Sequence, residues 1–239
     1  MPAMPAMPAT PMMPAVLYAS ETLIAVDKPT GIIVHGDGTG VETLTDLLRR
    51  AIERGAVRNV APASAGELQA LQRLDRATSG IVLFSTCKRT QPCYDRMIAE
   101  HACAKRYLAI ANGRVSWSDR TLEGPIGRDR HDARRMRVSP TGKPALTRVH
   151  VMDRRRVGGR WLTLLSVQIE TGRKHQIRVH LAHEGYPLVG DELYGRPDAR
   201  GLMLHAHALD FTDPVSGTPA HIVAPAPERM RTLFPRALA

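Results

Sequence analysis

The sequence predicts an α+β fold. Apolar runs of strand length are frequent and segments with helical periodicity are few. The two kinds do not alternate in the regular strand–helix–strand rhythm of a parallel α/β sheet. A chain of 239 residues is long enough for one large domain or two small ones, and no internal repeat divides it.

The elements follow in order. Residues 1–15, MPAMPAMPATPMMPA, are low in complexity, and their repeated prolines oppose helix and central strand alike. They read as a disordered tail. With no early Lys or Arg and no continuous apolar stretch, they do not read as a signal peptide. Order is expected from Val16, with residues 16–239 forming one domain. Leu23–Val26 and Ile32–Val34 read as short strands around Lys28-Pro29. Thr39 and Glu42 have capping-box spacing, ahead of Leu44, Leu47, Leu48, Ala51 and Ile52 on one helical face. Ile81–Phe84 is an apolar strand, 90–101 a helix with Pro92 near its start, and 105–111 a strand. Strands near 145–153 and 161–169 flank a hairpin turn at Val157-Gly158-Gly159. Residues 173–184 read as a helix with a narrow apolar stripe. The last strands fall near 203–210 and 219–223, around a turn at Asp213–Gly217.

Lys and Arg outnumber Asp and Glu by 33 to 23, a formal charge of +10, which favours a polyanionic partner such as nucleic acid. No stretch approaches the roughly 18 uninterrupted apolar residues of a membrane helix, so no membrane partner is expected. Cys87, Cys93 and Cys103 are odd in number and lack C-x-x-C spacing. They read as small buried hydrophobes in a reducing cytoplasm, not as a disulfide or zinc framework.

Two cofactor readings fail on spacing. Gly36-Asp37-Gly38-Thr39-Gly40 suggests a dinucleotide fingerprint, but position 41 is Val41 where a third glycine is required, and residues 57–60 supply no acid. His175, His180, His183, His205 and His207 suggest a metal, yet no H-E-x-x-H occurs and His175 and His180 are five apart. Neither cofactor nor metal is expected. The segment Leu71-Gln72-Arg73-Leu74-Asp75-Arg76-Ala77-Thr78-Ser79-Gly80 is more informative. It sets an aspartate between two arginines just before a buried strand, where the neighbouring positive charge favours the ionised carboxylate. Scaffold ion pairs share that pattern, so spacing alone supports a site only weakly.

R-L-D-R-A-T-S-G resembles the signature of the RluA-type pseudouridine synthases, which modify ribosomal and transfer RNA. Further segments match in order: Ala25-Val26-Asp27-Lys28-Pro29-Thr30-Gly31, Lys105-Arg106-Tyr107-Leu108-Ala109, and Gly142-Lys143-Pro144-Ala145 with Thr147. Thr171-Gly172-Arg173-Lys174-His175-Gln176-Ile177-Arg178-Val179-His180 follows, running on to Gly190-Asp191, and Leu204-His205-Ala206 closes the series. Together they cover about residues 16–225. One departure is Gln72, where the family commonly has histidine; both side chains hydrogen-bond.

The resemblance implies a single catalytic domain with a mixed, largely antiparallel sheet and a central RNA-binding cleft. It implies Asp75 as the nucleophile, Arg178 as its guanidinium partner, and Tyr107 as the ring that stacks on the uracil and takes part in moving the C5 proton. Ile177 and Leu204 would wall the pocket, and Arg73 would hold the flipped nucleotide. Arg128, Arg130, Arg134, Arg135 and Arg137 form a basic segment suited to phosphate contacts. Charge removal at Arg134 and Arg135 is therefore expected to raise KM more than it lowers kcat. Many family members carry an additional N-terminal RNA-binding module. Only the 15-residue tail precedes the first strand here, which reads as the short form. Short-form members act on hairpin loops of 23S ribosomal RNA and on tRNA anticodon stem-loops, so such RNA is the expected partner, with no DNA and with the protein a monomer. Isomerisation consumes no cofactor. A non-catalytic RNA-binding or assembly protein on the same fold is the alternative, and a metal-dependent RNA hydrolase a third reading.

Overall fold

The computed structural model describes residues 13–36, 38 and 40–238. The tail expected at 1–15 falls almost wholly outside them. The chain enters through β1 (Ala15–Ala19) and β2 (Leu23–Lys28), then α1 (Leu44–Glu53) and a 3-10 turn at Pro62–Glu67. There follow β3 (Gln69–Ala70), β4 (Ser79–Ser85), α2 (Gln91–Ala99), β5 (Cys103–Asn112), β6 (Asp119–Glu123), β7 (Ile126–Arg128) and β8 (Met136–Val138). The long hairpin of β9 (Leu146–Val157) and β10 (Arg160–Ile169) leads to α3 (Gln176–His183), β11 (Leu204–Thr212), β12 (Pro219–Val223) and α4 (Glu228–Arg231). This is the α+β class that the patterning predicts.

The main sheet has ten strands in the order β1-β2-β4-β11-β5-β10-β9-β6, with β3 added on β4 and β12 on β11; β7 and β8 form a separate two-stranded arm. Every described pairing is antiparallel except β4 with β11. All seven residues of β4 are buried, which is why it reads as a continuous apolar run and not as an alternating one. On one face Ile24, Val26, Val82 and Phe84 pack with Leu44, Leu48 and Ile52 of α1. On the other, Leu23, Ala25, Ile81 and Leu83 pack with Tyr94 and Met97 of α2. Further along, Ala109, Leu165 and Val167 meet Ile177 and Leu181 of α3, while Leu108, Ile110 and Leu164 meet Met230, Leu233 and Phe234 near the C-terminus. Each such leucine, isoleucine or phenylalanine contributes about 1.5–3 kcal/mol by leaving water.

Two local expectations are corrected. Residues 32–34 form no strand. Their carbonyls instead serve the site and α1: Lys28 Nζ donates to Ile32 O, Leu44 N to Ile33 O and Thr45 N to Val34 O. The capping box sits four residues later than Thr39–Glu42, of which Thr39 lies outside the described residues. Thr43 caps Asp46 N at 3.1 Å while the Asp46 carboxylate accepts from Thr43 N. Glu42 pairs instead with Arg50.

The parallel seam is tight. Gly80 pairs with Ala206, has φ +110°, and a Cβ there would lie 2.2 Å from Ala206 O. Only glycine allows β11 this close, and the backbone conformation is one that other residues avoid. Gly80→Ala should therefore lose roughly 2–6 kcal/mol, combining backbone strain and overpacking penalties of about 1–3 kcal/mol each. Urea denaturation with an unchanged m-value is the measurement.

Candidate functional site

Asp75 lies in the loop between β3 and β4, and buried backbone contacts fix that loop. Lys28 is completely buried, and its ammonium donates to three carbonyls: Pro29 at 2.9 Å, Ile32 at 2.9 Å and Arg76 at 3.2 Å. Burial pulls its pKa down to about 8, with the nearby Asp75 charge opposing. Gly31 N donates to Arg76 O and Arg76 Nε to Gly31 O, each at 2.8 Å. The Lys28–Gly31 turn thus clips the loop from behind. Arg76 spends its guanidinium there and not on the adjacent carboxylate, contrary to the expectation that both flanking arginines serve Asp75.

The carboxylate's partner comes from α3. Arg178 Nη1 donates to Asp75 Oδ2 at 3.0 Å, while its Nε and Nη2 grip Asp191 at 2.8 Å each. Burial opposes the Arg178 charge, but Asp191 and Asp75 outweigh it and raise the pKa. Asp191 is itself buried, and its Oδ1 also accepts from Leu193 N and Tyr194 N. His175 precedes α3 with φ +57°. Its Nδ1 lies 2.8 Å from Tyr194 Oη and its Nε2 3.6 Å from Asp75 Oδ2. Burial lowers the His175 pKa, with the Asp75 charge opposing. Gln176 holds the approach to the helix, accepting from Thr171 Oγ1 and Arg173 N and donating to Leu146 O and Thr147 Oγ1.

Beside Asp75 lies a cavity of about 90 Å³ whose walls include Tyr107, Ile169, Ile177 and Leu204, with Arg73 at its lining. It adjoins a groove of about 720 Å³ flanked by His35, Gln72, His101, Lys105, Arg173 and Lys174. Gln72 donates to Ile81 O at 3.4 Å. Burial and the Asp75 charge both push the Tyr107 hydroxyl pKa up, so the ring stays neutral.

The site is thus a carboxylate, a buried guanidinium and an aromatic wall around a small pocket. A family model described as RNA pseudouridylate synthase matches residues 22–183. The chain belongs to this RNA pseudouridylate synthase family. It is 33% identical over 225 residues to the RNA pseudouridine synthase YlyB of Bacillus subtilis, covering 92% of this chain and 71% of that protein. It is 34% identical over 236 residues to the ribosomal large subunit pseudouridine synthase D of Xylella fastidiosa, covering 92% and 68%. Among solved structures, human RNA pseudouridylate synthase domain containing 1 superposes with a TM-score of 0.73 at 26% identity, covering 92% of this chain and 86% of that one. As a pseudouridine synthase the protein is an isomerase.

The synthase fold brings Asp75, Tyr107, Arg178, Arg73, Ile177 and Leu204 to one pocket. The five arginines of the basic segment are treated differently from one another. They lie on and between β7 and β8. Arg128 and Arg130 are exposed, and Arg134 folds onto Asp132 through two hydrogen bonds. Arg135 lies 5.2 Å from the Tyr194 ring centre, and Arg137 is half-buried. Lys28, His175, Asp191 and Tyr194 were not assigned roles from the sequence. The Asp191-x-x-Tyr194 spacing, which lets one carboxylate cap two following N–H groups, is the signal that would have found the last two.

The histidines act singly. His180 bridges Thr147 and Gly124 O, and His207 Nδ1 donates to Ala224 O at 2.7 Å. His205 ties the parallel seam: Arg229 Nη2 donates to Ser79 Oγ at 2.7 Å, and Ser79 Oγ meets His205 Nδ1 at 2.9 Å. Burial drives the His205 pKa from 6.5 to about 4. Because the unfolded chain binds a proton at His205 more readily than the folded one, stability is full above about 6.5 and falls as pH drops towards about 4. His205 alone should remove roughly 2 kcal/mol between pH 7 and pH 5. Denaturant midpoints across that range are expected to slope less steeply in His205→Gln than in the parent.

Proposed function

We propose that this synthase isomerises uridine in a stem-loop of ribosomal or transfer RNA, with Asp75 as the nucleophile. The observation that carries the reading is the 3.0 Å ion pair between Asp75 and the buried Arg178 at the floor of a one-base pocket. Arg178 fixes that carboxylate at the wall of the cavity. The reaction breaks the N1–C1′ bond, turns the uracil within the pocket and joins C5 to C1′. The C5 proton is lost and N1 ends with a proton, so the reaction is redox-neutral. A pocket walled by Tyr107, Ile177 and Leu204 suits a planar base free to rotate, since apolar walls restrain it in plane without fixing its polar edges. A Tyr107 hydroxyl that retains its proton favours stacking over action as a base.

The uridine must leave its stack, which costs a few kcal/mol and least in a loop. Arg73 at the pocket lining would hold the flipped nucleotide, and Arg128, Arg130, Arg134 and Arg137 would meet flanking phosphates. Relatives named for the ribosomal large subunit support ribosomal RNA as substrate. Residues 16–239 act as one catalytic domain, as a monomer in the cytoplasm, and RNA is engaged in preference to DNA.

Asp75→Asn is nearly isosteric and should bind RNA as the parent does, yet release no tritium from 5-[³H]-uridine RNA. Near-parental release by that variant would remove Asp75 from the nucleophile's role. The groove around the pocket reaches only a short stretch of RNA. An isolated stem-loop of about 15–20 nucleotides should therefore react nearly as fast as the full RNA, an estimate from loop-centred recognition. Steady-state kinetics on both lengths tests this; reaction confined to intact ribosomal RNA would defeat local recognition.

A further inference from the structure

We propose that His175 and Tyr194 are positioning residues for Asp75, and that through them the β7–β8 arm sets the nucleophile's geometry as well as gripping RNA. The proposal rests on Asp75 being the nucleophile.

A chain of contacts runs from the arm to the carboxylate. Met136, the first residue of β8, donates its N–H to Tyr194 Oη at 2.7 Å. Tyr194 Oη lies 2.8 Å from His175 Nδ1, and His175 Nε2 lies 3.6 Å from Asp75 Oδ2. A phenol has one proton to give. Met136 N–H occupies one acceptor position, and the arrangement in which that proton goes to Nδ1 leaves the neutral imidazole protonated on Nε2, the nitrogen facing Asp75. Burial favours this neutral form. The charged groups around His175 are Asp75, Arg178, Lys174 and Asp191. Among them, Asp75 is the carboxylate that lies 3.6 Å from Nε2. The 3.6 Å separation is longer than a hydrogen bond, and such contacts shorten when substrate closes a site. His175 keeps a left-handed conformation, φ +57°, that most side chains avoid. Its ring meets Tyr194 edge-on at 5.6 Å.

The Tyr194 ring is also held by cations. The guanidinium carbons of Arg178 and Arg135 each lie 5.2 Å from its centre. Arg135 is half-buried and its Nε is sealed from solvent without a hydrogen-bond partner. Its neighbour Arg134 is 77% exposed in its side chain and chelated by Asp132. Two consecutive arginines that read alike in the sequence therefore do different work. Arg134 faces the solvent where phosphates arrive, and Arg135 braces the ring that orients His175.

Kinetics of tritium release from a 5-[³H]-uridine transcript of 23S ribosomal RNA tests the assignment. Tyr194→Phe keeps the ring and its cation contacts and deletes only the hydroxyl. It should lower kcat about tenfold with KM within about twofold, because orientation of the nucleophile matters in the transition state. His175→Ala should lose as much, His175→Gln should recover part of the loss, and the Tyr194→Phe/His175→Ala pair should be no worse than His175→Ala. Arg135→Ala should lower kcat, and Arg134→Ala should raise KM. Parental kcat in Tyr194→Phe, additive losses in the pair, or Arg135→Ala matching Arg134→Ala would overturn the proposal. Nitrogen-15 histidine spectra of the free protein need no turnover: His175 should be the Nε2–H tautomer in the parent, and its unprotonated Nδ1 resonance should move downfield in Tyr194→Phe as the hydroxyl's hydrogen bond is lost. A parental Nδ1–H tautomer overturns the positioning role. Tritium release retained in Asp75→Asn, with the expected tautomers, overturns the Asp75 reading alone.

Discussion

One guanidinium organises the site. Arg178 is buried on α3 and offers its fork to Asp191 and its remaining nitrogen to Asp75. Taking a guanidinium and a carboxylate out of water costs several kcal/mol per ion, which only close, multiply bonded geometry offsets. Asp191 supplies that geometry with both oxygens, and the N–H groups of Leu193 and Tyr194 fix the carboxylate in turn. Removing one partner from such a pair typically costs about 3–5 kcal/mol, because the other charge is stranded. The arrangement leaves Arg178 rigid. Asp75, more exposed than Asp191, then has one place where its charge is matched, and that place is the pocket floor.

The one parallel pairing among the described residues explains how distant segments reach that floor. Parallel neighbours begin at the same edge, so the loop entering β4 and the residue opening β11 must lie side by side. The first carries Asp75 and the second is Leu204. β5 then pairs antiparallel with β11 and sets Tyr107 opposite Ala206. On its other side Tyr107 pairs with Val167, two residues before Ile169 at the end of β10. Gly80 is the steric condition for this seam, and the Arg229–Ser79–His205 chain fastens it. The pocket follows from strand order, with α3 laid across the far wall by Gln176 and His180, both anchored on Thr147 of β9.

How legible this was depends on whether a feature is periodic or long-range. The face of α1 at Leu44, Leu47, Leu48, Ala51 and Ile52 is buried as its spacing predicts, and the Gly158-Gly159 hairpin turn joins β9 to β10 as expected. Short edge elements were missed. β6, DRTLE, buries one residue of five, and β7 and β8 are three residues each, too brief for a period to register. Ile32–Val34 misled because apolar residues there pack as a loop whose carbonyls are taken by Lys28 and α1. At the site, the motifs pointed to the residues now gathered around the pocket. What they could not convey is which arginine meets which carboxylate. Arg76 adjoins Asp75 in sequence and binds Gly31, whereas Arg178 is 103 residues away and binds Asp75.

The same electrostatics accounts for the cleft's basic rim. In the proposed reaction, a carboxylate that approaches a ribose flanked by phosphates meets like charges. Two unit charges 4 Å apart repel by about 1 kcal/mol in water and by about 4 kcal/mol at an effective dielectric near 20, the value suited to a protein surface. An isolated Asp75 would thus oppose the binding of its own substrate. Arg178 and Lys28 lie behind it, and Arg73, Arg173, Lys105 and Lys174 line the adjoining groove. This positive surround would offset the repulsion. The net charge of +10 is therefore more than a means of attracting RNA from a distance. Under the proposed mechanism, the cations near Asp75 would let one negative oxygen come within reach of a polyanion.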